Sequence, residues 1–423
     1  MALIAYFFPF IYVSLTIILY FIGPWGFVSL SSETFNIFIS MVPLAIFLGN
    51  LLGFFDRKLK SALLSKNIGL FLFKFSLLIG FLLYFPTVFA RTGFIYPNII
   101  LGFMDPAAAY ARAIDPIYPQ IEYFRIFLSP MLIAIFPLGI IYWELLTNKC
   151  KFLYVLYCIL YSSLFISMGV NRGIFDVILG VSFCVFFVCV KKRSEIKLRH
   201  VAIILLFIIL FCLGLYLFAK GQMHREGSGA LSGFLPFSST YARWIPEVID
   251  DELIRYLVLI YNQLSSYLSQ GYYGASLLYE QSISGQTYGV GFSDFLLRNA
   301  TKILGDEFLL SSPIYALENA NDWLHGNYWF SILGWLSSDF TFLGALFVVF
   351  IFSFIYSSAL NCFILTSCWL SFLIVYLMLF VFLYFPANNY MFQSGETFFY
   401  SVFFMSLWGV RKIQFCCTET IDN

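Results

Sequence analysis

Long apolar runs alternate with short polar connectors along the whole chain. A helix of about 20 apolar residues crosses the hydrocarbon of a bilayer. The pattern predicts ten such spans, near 3–22, 35–55, 68–90, 126–146, 152–170, 172–190, 201–219, 340–358, 363–385 and 395–411. Across residues 152–190 the only formal charges are Arg172 and Asp176. As one helix this run would reach roughly 58 Å at about 1.5 Å per residue, near twice the hydrocarbon thickness. It must fold back on itself. Gly169, Asn171 and Gly173 are turn formers, so 152–168 and 174–190 become the arms of a hairpin, with Arg172 at a membrane surface.

Composition sharpens this picture. Of 423 residues, 61% are hydrophobic, 21% aromatic and only 11% charged, too few charges for an ordinary soluble domain. The expectation is an all-α polytopic membrane protein of about ten transmembrane helices with a large helical outer loop. Three regions follow: 1–219 with spans one to seven, 220–339 as the large outer loop, and 340–423 with spans eight to ten and a tail. The first run has no basic leader and no small-residue cleavage site, so it reads as a retained helix. No internal repeat emerges. A net charge of +1 with scattered Lys and Arg argues against a nucleic-acid partner.

Positive charge gathers in the connectors 56–67, 147–151 and 191–200. The bias of Lys and Arg toward cytoplasmic loops puts these connectors and both termini inside, and the hairpin tip, 91–125 and 220–339 outside. All nine cysteines then fall in spans, inner connectors or the tail, so nothing reads as a disulfide framework. The kind of basic residue also differs between the two sides. Lysine predominates inside, whereas outside Arg91, Arg112, Arg125, Arg172, Arg225, Arg243, Arg255 and Arg298 face only Lys220 and Lys302. The positive-inside rule does not separate Arg from Lys. A guanidinium offers a planar fork to phosphate or carboxylate and keeps its charge when partly buried, so this surface looks built to hold an oxyanion. The alternative is that each arginine neutralises an outer acid, of which 220–339 alone has twelve.

Within 91–125, Asp105-Pro106 before an alanine-rich stretch reads as a helix start. In 220–339, apolar residues from 253 to 268 fall on one helical face, behind Asp250, Asp251 and Glu252 on the favourable side of the helix dipole. That helix is expected to be short and to lie on the membrane or the bundle, with a re-entrant element as the alternative. Four of the eight tryptophans are in this loop, and Trp323, Trp329 and Trp335 just ahead of a span suit an interfacial belt. The cluster Tyr267, Tyr272, Tyr273 and Tyr279 is the better platform for sugar faces.

Candidate chemistry is sparse. On a helix starting at the hairpin tip, Asp176 is four residues from Arg172 and on its face. The pair either closes the hairpin or aims the guanidinium into an outward cavity, the latter because ionisable groups at membrane depth mark sites. His325 and Asp339 are candidate bases, with an N-cap as the alternative role for Asp339. Glu280, Glu318 and Glu396 complete the outer carboxylates of interest. Metal-ligand spacings, Ser-x-x-Lys, Gly-x-Ser-x-Gly and Walker patterns are missing from credible contexts.

The many-span pattern, the "MGVNRGIFDVILG" hairpin, the long arginine-bearing loop, "YLSQGYYGASLLYE" and "WLSSDFTFLGALF" together resemble the bacterial oligosaccharide repeat-unit polymerases of O-antigen and capsule synthesis (Wzy-type), distant relatives of the O-antigen ligases. "HGNYW" at 325–329 matches only in part the His-Asn-centred motif of the ligases. The resemblance implies a GT-C-like fold in the bacterial inner membrane with both termini cytoplasmic. It also implies a metal-independent glycosyltransferase, without cofactor, that joins undecaprenyl-pyrophosphate-linked oligosaccharides at the periplasmic face. The bilayer and a chain-length regulator would be its other partners. On that footing Arg172, Arg243 and Arg298 hold the pyrophosphate, with Arg91 and Arg225 as a second tier and Asp176 orienting Arg172. Tyr272 and Tyr273 face sugars, and His325 or Asp339 activates the acceptor hydroxyl. The alternatives are a ligase that transfers glycan to lipid A core, and a flippase or transporter. A transporter would carry mid-span charges, whereas the other in-span charges, Lys74 and Glu144, lie near inner ends where they can snorkel.

Overall fold

The computed structural model describes residues 2–56, 66–113, 117–170, 172–192, 212, 214–216, 229–235, 240–281, 287–321, 323 and 328–419. The span expected at 201–219 lies almost wholly outside these residues. The main helices are α1 (Ala2–Ile22), α2 (Glu33–Phe55), α3 (Lys66–Thr92), α4 (Pro119–Ile141), α5 (Asn148–Ser167), α6 (Arg172–Lys192), α7 (Glu252–Glu280), α8 (Asp294–Leu304), α9 (Ser331–Thr366), α10 (Trp369–Leu383) and α11 (Gly395–Glu419). Among the described residues, β structure is confined to one two-residue antiparallel pair, with Phe234 opposite Tyr241 and Leu235 opposite Thr240.

Helices α1 to α6 and α9 are long and apolar enough to cross a membrane. The chain is therefore a multi-pass membrane protein. The segment expected as the ninth span does run from the lysine end, where Ser367 accepts from Lys191, to the arginine end, where Tyr384 meets Asp176, but as a shorter helix than expected. Helix α9 continues to Thr366, where Ser367 ends it in the left-handed region at φ 60°. That leaves α10 with 15 residues, roughly 22 Å at about 1.5 Å per residue, short of the hydrocarbon thickness. All but the last residue of α10 are buried. A helix that is apolar on every side is a core helix, and α10 fills the centre of the bundle.

The hairpin forms where the glycines require it. Helix α5 stops at Ser167, Gly169 turns at φ +68°, and α6 starts at Arg172. A Cβ at Gly169 would lie 2.1 Å from the Pro106 carbonyl oxygen, so the tip packs against the helix Pro106–Ala113. Asp105 caps that helix by accepting from the Ala108 N–H at 3.0 Å, as the Asp-Pro signal indicated.

Helices α2 and α9 approach closely along Gly49 and Gly53. A Cβ would sit 2.4 Å from the Phe350 carbonyl oxygen at the first and 2.6 Å from that of Phe354 at the second. Small residues at such a seam let helix backbones meet in a membrane, where burial of apolar surface drives no association. Ser353 then donates to Asn50 Oδ1 at 2.5 Å and Ser357 to the same oxygen at 3.1 Å.

The two ends of the bundle carry different cations. At one end Lys191 Nζ donates to the Phe363 carbonyl at 3.1 Å, Lys192 pairs with Glu144 at 2.8 Å, and Lys151 lies 5.5 Å from the Trp143 ring centroid. Among the described residues, Arg91, Arg125, Arg172 and Arg298 lie at the opposite end, with Lys302 beside them. Across that end runs α7, capped by Asp251, which accepts from the Ile254 N–H at 2.9 Å. With 29 residues, α7 is longer than expected and runs on through the tyrosine cluster. Its last part is clamped into the bundle: a Cβ at Gly271 would meet the Pro386 carbonyl oxygen at 2.1 Å, and one at Gly274 the Trp329 carbonyl oxygen at 2.3 Å.

That clamping overturns the sugar-facing reading of two tyrosines. Tyr272 is fully buried with its hydroxyl 2.8 Å from Thr16 Oγ1. Tyr273 stacks on Phe27 at 5.4 Å and meets Trp323 edge-on at 5.5 Å. Both belong to the core, Tyr272 against α1 and Tyr273 between Phe27 and Trp323.

Candidate functional site

Arg172 begins α6 at the hairpin tip, where backbone geometry lets it reach Asp176 one turn on. Its Nε donates to Asp176 Oδ2 at 3.3 Å. The other carboxylate oxygen accepts the Tyr384 hydroxyl at 2.7 Å, a bond from the C-terminal end of α10 that fixes the acid from the far side. The guanidinium carbon lies 5.3 Å from the Tyr384 ring centroid and 4.8 Å from that of Tyr390, within cation–π range. The two rings stack on each other at 4.9 Å. Asp176 is 9% exposed and Arg172 33% exposed, so the acid is structural ground and the cation is reachable.

A second arginine group stands at the same end. Arg91, in the last turn of α3, forks onto Glu122 with Nε at 2.7 Å and a terminal nitrogen at 2.6 Å. Arg125 of α4 also pairs with Glu122, at 3.3 Å, and with Glu396 at the start of α11. Arg125 Nε is buried with no hydrogen-bond partner. Tyr161 of α5 lies within electrostatic reach of Arg172, Asp176 and Glu396, and Arg125 within reach of Tyr161.

Arg298 of α8 joins the rim. It donates from Nε to Asp294 at 3.0 Å, and Tyr315 donates to the same carboxylate at 2.9 Å. Burial works against the guanidinium, but the charges of Asp294 and Tyr315 and the hydrogen bonds to both together offset it and hold Arg298 above its ordinary range. Burial, and then the same carboxylate, pushes the Tyr315 hydroxyl well up. Helix α8 is tied to the Tyr384–Tyr390 corner because Asn389 Nδ2 donates to the Phe292 carbonyl at 2.9 Å and Ser293 to that of Phe392 at 2.6 Å. Lys302 reaches the Tyr123 hydroxyl at 3.5 Å, which brings α8 beside the start of α4.

Arg243 stands apart from this group. Its guanidinium lies 5.8 Å from the Trp244 ring centroid, and its N–H donates to Pro24 at 2.8 Å, beside the end of α1. Asp339 is also reassigned. It is neither an N-cap nor an open base, because α9 begins eight residues earlier and bends only at Thr341, φ 60°. Its Oδ1 accepts from Thr287 at 2.5 Å and Gly289 N–H at 2.9 Å, and its Oδ2 from Phe292 N–H at 2.8 Å. Both oxygens are committed to shaping the loop ahead of α8. His325 and Arg225 lie outside the described residues, as does the side chain of Glu318.

No protein-family model, curated protein or solved structure matches the chain. The geometry therefore stands on its own. Arg91, Arg125, Arg172 and Arg298 gather at one end of the bundle, each on a carboxylate, and their acids are Glu122, Glu396, Asp176 and Asp294. Each of these four arginines is paired with an acid. A guanidinium has five N–H donors, so an arginine bound to one carboxylate retains donors for a second anion. Among the described residues no three His, Cys, Asp or Glu side chains converge as a metal set would. Tyr384, Tyr390 and Glu122 escaped the sequence reading because aromatic and acidic residues at span ends look like ordinary interface residues until the helices are packed. Arg125 was visible only as one outer arginine among eight.

Proposed function

We propose that this chain is a glycosyltransferase of the inner-membrane outer face that polymerises undecaprenyl-pyrophosphate-linked oligosaccharide repeat units. The observation that carries this reading is the gathering of four guanidiniums at one bundle end, with Arg172 held between Asp176 and two stacked tyrosines. In the reaction, an acceptor sugar oxygen bonds to the anomeric carbon of the growing chain. The bond from that carbon to the lipid pyrophosphate oxygen breaks, the pyrophosphate keeps the electron pair, and the hydroxyl proton passes to a base. Charge grows on the leaving diphosphate, and preorganised arginines stabilise such charge most where water is excluded. Arg172 and Arg298 are the proposed diphosphate ligands, with Arg91 and Arg125 behind them and Asp176 positioning Arg172. Arg243 and Arg225 fall to a lesser role, and His325 remains the proposed base because the Asp339 oxygens are occupied.

The test is purified protein in liposomes with a lipid-linked repeat unit as sole substrate. A ladder of products without added lipid A core supports a polymerase, transfer only when core is supplied supports a ligase, and movement of the lipid without new linkages supports a flippase. Replacing Arg172 by Ala or by Lys is expected to shorten or abolish the ladder, since lysine cannot supply the planar fork. Full-length ladders from both variants would remove Arg172 from the site.

A further inference from the structure

The two halves of α7 differ. From Leu259 onward one face is packed into the bundle, while Leu253 and Leu257 in the first turns are 70% and 56% exposed. Ile254, Tyr261, Trp244 and Val248 are also exposed, and Trp244 lies against Tyr261 at 5.7 Å. Such a patch outside the spanning helices calls for a partner.

Its height in the molecule identifies one. Trp25 Nε1 donates to the Asn262 carbonyl at 2.9 Å, Asn262 Nδ2 to the Trp244 carbonyl at 2.8 Å, and Arg243 N–H to Pro24 at 2.8 Å. Pro24 and Trp25 follow directly on the end of the membrane helix α1. The Trp244 end of the patch, and α7 at Asn262, are thus pinned beside the point where α1 leaves the hydrocarbon. On α1 itself Leu15, Ile18 and Ile22 are exposed, a face that in a spanning helix meets lipid. Trp and Tyr beside aliphatic side chains are the composition of a membrane interface.

We infer that Trp244, Val248 and the first turns of α7 are embedded in the headgroup–acyl boundary of the bilayer, as an interfacial anchor beside the end of α1. This does not rest on the proposed reaction. The segment 243–255 carries Arg243 and Arg255 against Glu247, Asp250, Asp251 and Glu252, so anionic lipid has no net attraction to it and the binding is apolar. Anionic lipid therefore does not strengthen it.

The test uses the full chain in nanodiscs of phosphatidylcholine carrying a diazirine on the acyl chain, with and without anionic phosphatidylglycerol. Irradiation is followed by peptide mapping of the lipid adducts. Adducts on 253–257 are expected at a yield within about threefold of that on Leu15, Ile18 and Ile22 in phosphatidylcholine, and not raised by phosphatidylglycerol. Leu253→Glu with Leu257→Glu should cut the yield at this segment about tenfold or more while the α1 adducts persist. Adducts on α1 with none on 253–257 would overturn the inference. So would cross-links from this segment to a second copy or to another part of the chain in place of lipid, or adducts that appear only with phosphatidylglycerol.

Discussion

Removing Asp176 strands Arg172, and removing Arg172 strands Asp176, but the two losses are unequal. Breaking a buried ion pair costs about 3–5 kcal/mol because a charge is left without a partner. Arg172 is 33% exposed, so water screens it and Asp176→Leu is expected to cost less, about 2 kcal/mol. Asp176 is 9% exposed and would keep only the Tyr384 hydroxyl, so Arg172→Met is expected to cost about 3 kcal/mol. The double variant leaves just that hydroxyl unpaired, about 1–2 kcal/mol. The coupling is then roughly 3 kcal/mol, well beyond the scatter of independent sites. At about 2 °C per kcal/mol for a chain of this size or larger, the single variants should melt roughly 4–6 °C lower in detergent, and the double variant about 2–4 °C lower. Polymer formation should fail in Arg172→Met and in the double variant alike. A double variant that melts as low as the sum of the singles would show that the pair is not a unit. One that regains both stability and polymer would reduce Arg172 to a structural role.

Three further outcomes are expected. Gly49→Ala should lower the melting temperature, because forcing α2 from α9 costs about 1–3 kcal/mol against a helix-propensity gain of about 1 kcal/mol. Gly409→Ala, where a Cβ meets nothing within 4 Å, should raise it, and shifts of the same sign would refute the packing argument. Asp339→Ala removes the acceptor of two backbone N–H groups and the Thr287 hydroxyl, so hydrogen exchange at Gly289 and Phe292 should rise about tenfold or more. Unchanged protection there would show that the carboxylate does not hold the loop. Tyr272→Phe should cost about 1 kcal/mol of stability and leave glycan transfer intact. A weakened acceptor KM with unaltered stability would return this ring to the sugar site.

The order of residues by itself determined the helical membrane class, the hairpin at Gly169, the helix start at Asp105-Pro106 and the acidic start of α7, because these depend on residues within a few positions of one another. It also separated lysine from arginine along the chain, which corresponds to the two ends of the bundle. Tertiary structure decided the rest. An apolar run reads the same whether lipid or protein surrounds it, so only packing distinguished α10, buried in the core, from a lipid-facing helix. The tyrosines of α7 carry polar handles and read as surface until α1 covers Tyr272 and Phe27 and Trp323 cover Tyr273. Arg172, Arg125, Arg91 and Arg298 are separated by dozens of residues, and no local pattern encodes that the ends of α3, α4, α6 and α8 meet. Their approach is fixed by which helix faces can pack, a global property that the order of residues expresses only once the chain has folded.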